Sequence, residues 1–259
     1  MNSSPNVEPE FPAAGGLGVP TKGGSCSVPV AEGYELWAPI YDQTPNPLLA
    51  REERHLLPLF TDLHKKRILD LACGTGRWLE KLVAQGGGLA VGIDSSAAML
   101  CVARMKDVIT GRLVRAACES LPFRTAVFDL AICSFALGHI RDLGSMVREL
   151  ERVTKPGADV FVSDLHPEAY ARGWRVGFRD KSAAVQIEML PRGAEEVVQA
   201  FCSNGFECLA QLPLYLGDAE KAIFEQAGRA HSFAEACQLP AVHLCHFRRL
   251  DSPNDYRRV

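Results

Sequence analysis

The chain has no Cys-x-x-Cys pair among its nine cysteines, no apolar run near the roughly 18 residues that cross a bilayer, and no surplus of basic charge. Each absence removes a class of protein. Cys26, Cys73, Cys101, Cys118, Cys133, Cys202, Cys208, Cys237 and Cys245 stand apart, mostly in apolar segments where a thiol packs as a small hydrophobe. That pattern suits reduced cysteines in a reducing compartment, not a zinc site or a disulfide framework. Lys22 is the first basic residue and no apolar stretch follows it. No secretory leader is read, and a cytoplasmic location is expected. With 28 Lys and Arg against 31 Asp and Glu, the formal charge of -3 offers no field for a nucleic-acid backbone. Neither a nucleic-acid partner nor a membrane partner is expected, and the sequence is silent on oligomeric state.

What is present begins with a change of character at Gly33. Residues 1–30 hold five prolines and five glycines with few large apolar groups. Such a stretch buries too little surface to offset its ordering entropy. Residues 1–32 are therefore expected as a disordered tail, 33–250 as one domain and 251–259 as a C-terminal tail. Tyr34, Leu36, Trp37, Ile40 and Tyr41 open the domain, and Leu48 to Phe60 has helical apolar spacing interrupted by Pro58.

Buried strands then alternate with amphipathic helices. Strands are predicted at Arg67–Leu71, Ala90–Asp94, Arg112–Ala117, Val127–Cys133 and Asp159–Leu165, with helices at Arg77–Ala84, Ser96–Lys106 and Leu143–Val153. A helix at Ala194–Ser203 and strands at Phe206–Leu212 and Val242–Arg248 follow. This alternation means crossover units and an α/β, doubly wound, mostly parallel sheet covered on both faces.

Arg67-Ile68-Leu69-Asp70-Leu71-Ala72-Cys73-Gly74-Thr75-Gly76 runs a buried strand into a glycine turn, and Trp78-Leu79 opens the next helix. Gly74 and Gly76 let backbone N–H groups approach a ligand closely. The following strand ends at Asp94, where a carboxylate can accept both hydroxyls of a ribose. Strand, glycine turn, helix and distal acid together indicate a nucleoside-containing cofactor. A dinucleotide needs a third glycine at position 79, which is Leu79, and Asp70 before the turn would repel a pyrophosphate while suiting a cation. Each piece alone has a plainer explanation: any strand-to-helix turn for the glycines, a cap on the Ser96 helix for Asp94.

LDLACGTG at 69–76, GIDSSAAML at 92–100, ACESLPF at 117–123, FDLAICSFALGHIRD at 128–142 and LERVTKPGADVFVSDLHP at 150–167 stand in order. The set resembles the class I S-adenosylmethionine (SAM)-dependent methyltransferases, in the form seen in ubiquinone-biosynthesis-type small-molecule enzymes. The resemblance implies a seven-stranded sheet of order 3-2-1-4-5-7-6 with the seventh strand antiparallel. It implies SAM as cofactor, held by Tyr41, Asp70, Ala72, Gly74, Gly76, Asp94, Ser95, Met99, Cys118, Glu119 and Ser134. Of these, Asp94 would meet the ribose, Cys118 and Glu119 would flank the adenine, and Ser134 would line the methionine end. Tyr41, with Arg54, would lie near the methionine carboxylate.

The acceptor side is less explicit. Methyl transfer needs an aligned nucleophile and exclusion of water, and a base only where the nucleophile must lose a proton. His139 and His166 follow two strands at the carboxyl edge, where open α/β sheets bind ligands. Both are candidate catalytic residues, as base or orienter, and either can instead be satisfied by loop backbone. Arg172, Arg175 and Arg179, interleaved with Trp174 and Phe178, read either as an anion clamp or as a solvated loop with its aromatics packed beneath. No Asn/Asp-Pro-Pro-Tyr follows Ser134, and no acidic cluster suits a catechol-orienting Mg²⁺, so no metal site is expected. A small-molecule acceptor remains, with an NAD-type oxidoreductase and a non-catalytic SAM-binding scaffold as the rivals.

Overall fold

A computed structural model describes residues 16–18, 26–180 and 183–251. The strands are β1 (Gly16–Gly18), β2 (Cys26–Val28), β3 (Arg67–Leu71), β4 (Leu89–Asp94), β5 (Leu113–Arg115), β6 (Phe128–Ser134), β7 (Thr154–Leu165), β8 (Arg175–Asp180), β9 (Ala183–Ile187), β10 (Phe206–Tyr215) and β11 (Pro240–Arg249). The helices are α1 (Val30–Trp37), α2 (Pro47–Leu56), α3 (Arg77–Ala84), α4 (Ala97–Ala103), α5 (Leu143–Val153), α6 (Pro167–Ala171), α7 (Ala194–Cys202), α8 (Lys221–Gln226) and α9 (Phe233–Ala236).

Seven strands form one sheet in the order β10-β11-β7-β6-β3-β4-β5, with β11 antiparallel to both its neighbours. Counted along the chain and read from the β5 edge, this is the order 3-2-1-4-5-7-6. Alternation along each strand splits the core. Ile68, Ile132, Phe161 and Leu244 pack with Trp78 and Leu82 on one face. Leu69, Ala131, Val160 and Phe247 pack with Val147, Leu150 and Phe201 of α5 and α7 on the other. Local signals start the helices as the residues suggest. Asn46 accepts the Leu48 N–H at 2.9 Å ahead of Pro47, and Asp142 accepts the Ser145 N–H at 2.8 Å. Cys73, Cys118, Cys133 and Cys245 are buried thiols, whereas Cys101 and Cys202 are exposed. Among the described residues no helix is long and apolar enough to cross a membrane.

Besides the unpredicted short helices α6, α8 and α9 and an earlier start to β7, the fold departs from the sequence reading most in one region. β8 and β9 form an antiparallel hairpin where a loop was expected, and β1 and β2, expected in the tail, pair with β8 and β9 to complete a second sheet of order β1-β8-β9-β2. Its own small core joins Val28, Phe178, Val185 and Ile187 to Trp37 of α1. The boundary at residue 33 therefore moves: residues 16–18 and 26–28 belong to folded structure, and the rest of residues 1–25 and residues 252–259 lie outside the described residues.

Candidate active site

β3 delivers Asp70 to the carboxyl edge of the sheet, and the chain then turns through left-handed residues at Ala72 (φ 55°), Gly74 (φ 55°) and Gly76 (φ 82°). A Cβ on Gly74 would meet no atom within 4 Å, so this residue borders open space, whereas one on Gly76 would strike Ile109 at 2.4 Å. The first glycine thus keeps backbone open to the cavity and the second allows the helix to pack. Asp70 is buried, and its Oδ2 accepts the Leu79 N–H at 2.9 Å, which satisfies a free donor at the start of α3. Burial pushes the Asp70 carboxyl up to about 7, against the opposing pull of Arg77.

Asp94, at the end of β4, accepts the Gly74 N–H at Oδ2 and the Ser96 N–H at Oδ1, both at 2.8 Å. Burial raises this carboxyl too, while the Ser96 and Gly74 amides pull it down. Each oxygen keeps a lone pair for another donor.

A cavity of about 410 Å³ lies over this edge. Tyr41, Asp70, Ala72, Gly74, Asp94, Ser95, Met99, Cys118, Glu119 and Ser134 line it, as does His139. Gly76 does not: it stands one step behind, as the N-cap of α3.

His166 is also outside the lining. Pro167 starts α6 directly after it, and the imidazole turns to cap that helix, its Nδ1 accepting the Glu168 N–H at 3.2 Å. The position at the strand end is as the sequence suggests, but the side chain is committed to the helix. Arg54 turns away as well, pairing with buried Glu220 at 2.6 Å. None of Arg172, Arg175 and Arg179 lines the cavity. Arg175 lies over the Tyr170 ring at 4.0 Å, and Phe178 stacks on Trp37 at 5.3 Å, so the anion clamp is not formed.

Arg77 is the cation that sequence reasoning missed. It lines the cavity, donates to Ser134 Oγ at 2.9 Å and pairs with Glu52, a carboxylate with no exposed surface. Glu52 also accepts from Trp78 Nε1 at 3.1 Å and from the Ser163 hydroxyl. Arg77 Nη1 is buried and has no hydrogen-bond partner among the described residues; Glu53 Oε2 lies 3.7 Å away. No local sequence signal marks it: Arg77 simply opens α3, and only the fold brings it to Ser134 of β6 and Glu52 of α2.

Val30, Ala31, Tyr34, Leu49, Phe135, Ala136 and Ile140 add apolar and aromatic lining to the same cavity. Here His139, in a short 3-10 turn at Leu137–His139, meets the Tyr34 hydroxyl through Nε2 at 3.0 Å and the Glu188 carbonyl through Nδ1 at 3.2 Å. Buried Asp164, at the end of β7, holds that turn by accepting the Gly138 N–H at 2.6 Å.

Residues 69–162 match a family described as a methyltransferase domain. A ubiquinone biosynthesis O-methyltransferase of Hahella chejuensis is 35% identical over 164 residues, covering 61% of this chain and 63% of that protein. Another, from Pseudomonas aeruginosa, is 33% identical over 140 residues, covering 51% of this chain and 56% of that protein. The chain thus spans less than two thirds of the length of these relatives. In fold it is similar to an S-adenosylmethionine-dependent methyltransferase from Mesorhizobium loti, with a TM-score of 0.60 at 22% identity, covering 77% of this chain and 98% of that one. The match, the glycine turn with its distal acid, and the seven-stranded order point the same way: residues 69–162 match a methyltransferase domain, set in a sheet whose fold is similar to that of the S-adenosylmethionine-dependent enzyme.

Proposed function

We propose that the chain transfers a methyl group from SAM to a hydroxyl oxygen of a small organic acceptor. The carrying observation is that one cavity joins Asp70, Asp94 and Arg77 to an open glycine turn and to apolar and aromatic side chains. Its charged groups fit SAM one by one. Asp94 has free lone pairs for two ribose hydroxyls, Arg77 has an unused buried donor for a carboxylate, and Asp70 offers a carboxyl to a cation. Gly74 leaves open space beside them, and the volume is that of an ordinary small-molecule site.

When bound, SAM supplies an electrophilic methyl carbon on a sulfonium. The protein's share is positioning and dryness. In this reading Tyr41, Ala72, Ser95, Met99, Cys118 and Glu119 shape the cofactor pocket, and Ser134, held by Arg77, lines its methionine end. Tyr34, Phe135 and Ile140 form the water-excluding wall around the acceptor. The oxygen acceptor is supported by the names of the relatives; the apolar lining supports a small, largely uncharged molecule.

Leu79 speaks against a dinucleotide: its side chain is fully buried where such a site needs glycine. Calorimetry with SAM, NAD and S-adenosylhomocysteine, followed by a methyl-transfer screen across phenols, thiols, amines and carboxylic acids, tests the proposal. Binding of SAM and turnover with a hydroxylated acceptor are expected. Binding of NAD alone, or SAM binding without turnover of any acceptor, would point to the oxidoreductase or the scaffold.

A further inference from the structure

Three elements meet at His139, which lines the cavity together with Tyr34. α1 brings Tyr34, the turn after β6 brings His139, and the segment after β9 brings the Glu188 carbonyl. A carbonyl only accepts, so the 3.2 Å contact places the imidazole proton on Nδ1. Nε2 is then the bare nitrogen, and in the 3.0 Å contact with Tyr34 the phenol is the donor. With its hydrogen so directed, the Tyr34 oxygen keeps its lone pairs for a donor in the cavity that it lines.

We propose that Tyr34 and His139 form a two-step proton relay for the methyl acceptor, with the Glu188 carbonyl fixing its direction. The inference rests on the methyl-transfer reading above. The acceptor O–H donates to the Tyr34 oxygen. As the new oxygen–carbon bond forms and the carbon–sulfur bond of the methyl donor breaks, that proton passes to Tyr34, and the proton of Tyr34 passes to His139 Nε2. The positive charge lost at sulfur reappears on the imidazolium, so atoms and charge balance. The Glu188 carbonyl then accepts from the positively charged ring until water takes the proton.

The surroundings keep the pair ready. Burial pulls His139 down to about 4 and raises Tyr34, with the charges of Tyr41, Asp164 and Asp94 adding to the rise. Both groups are neutral at pH 7, so Nε2 is free to accept; burial makes it a weaker base than a free imidazole, and the imidazolium is short-lived.

Tyr34→Phe and His139→Gln, each with wild type, test the relay on two probes: unsubstituted phenol, which is protonated at neutral pH, and pentafluorophenol, which is ionised there. With phenol both variants should lose about 10²-fold or more in kcat. With pentafluorophenol, which has no proton to give up, they should stay within a few-fold. SAM affinity by calorimetry should also change no more than a few-fold. In the enzyme without SAM, ¹⁵N spectra should show His139 Nε2 unprotonated, and Tyr34→Phe should shift that resonance. Equal losses on both probes, no loss on phenol, or a protonated Nε2 would overturn the relay. So would a wild type that binds SAM yet methylates neither probe. Failure of wild type to bind SAM would instead remove the underlying functional reading.

Discussion

The Gly74 amide donates to Asp94 Oδ2 at 2.8 Å, so the glycine turn after β3 and the acid at the end of β4 are one unit. The second oxygen, on Ser96, fixes the start of α4 in the same stroke. Asp94→Ala should therefore weaken SAM binding at least tenfold, because charge-assisted hydrogen bonds of about 1.5–3 kcal/mol each are lost. Asp94→Asn, which can still accept the Gly74 amide, should retain more of the melting temperature than of the affinity. Wild-type affinity in Asp94→Ala, by calorimetry, would place the cofactor elsewhere.

Asp70 gives a pH dependence of definite sign. Its carboxyl is raised by burial to about 7, so the folded state holds a proton that the unfolded chain releases near pH 4. The stability it contributes is fully present below about pH 4 and is lost as pH rises through about 7. Melting temperatures of Asp70→Asn relative to wild type should therefore improve steadily between those values and level off above. A cationic ligand should also drive the proton off. SAM binding at pH 7 should release roughly half a proton, read from calorimetry in buffers of different ionisation enthalpy.

Glu52 and Arg77 are a buried ion pair, and breaking one side strands the other charge. Glu52→Gln should cost on the order of 3–5 kcal/mol in chemical denaturation. The double variant Glu52→Gln with Arg77→Met should recover much of that loss yet bind SAM weakly, since the unused guanidinium donor is gone. Full SAM affinity in the double variant would show that Arg77 supports the fold alone.

His166→Ala should leave turnover within a few-fold of wild type and cost about 0.5–2 kcal/mol, the loss of a helix cap. Denaturation and steady-state rates measured together would check this. A large fall in kcat at unchanged stability would return His166 to the reaction.

These residues also mark where reading the sequence stops. Strand alternation and the glycine turn with its distal Asp94 were legible as local patterns with one spatial outcome, whereas the other lining residues from Tyr41 to Ser134 came from the family resemblance. Gly76 was read as a contact and is a cap, a distinction that depends on Ile109 lying behind it. His166 was placed correctly along the chain, but side-chain direction depended on Pro167 starting a helix at once. Arg77 and Glu52 carry no local signal, since their burial depends on α2, α3 and the ends of β6 and β7 coming together. The small sheet was missed for a related reason: strands of three to six residues, one in a glycine-rich stretch, carry too few alternations to stand out.

That small sheet bears on the order in which the molecule assembles. Val28 and Ile187 are register partners from opposite sides of the β3 to β7 segment. Closing so long a loop is entropically expensive until the intervening chain has become compact. The nucleoside-facing half can form from contacts between neighbouring segments. Tyr34, on α1 directly after β2, by contrast takes its place only once the amino-terminal strand has found its distant partner. Substitutions in the small sheet thus touch a late-joining piece, while Phe135 and Ile140 belong to the part that forms first.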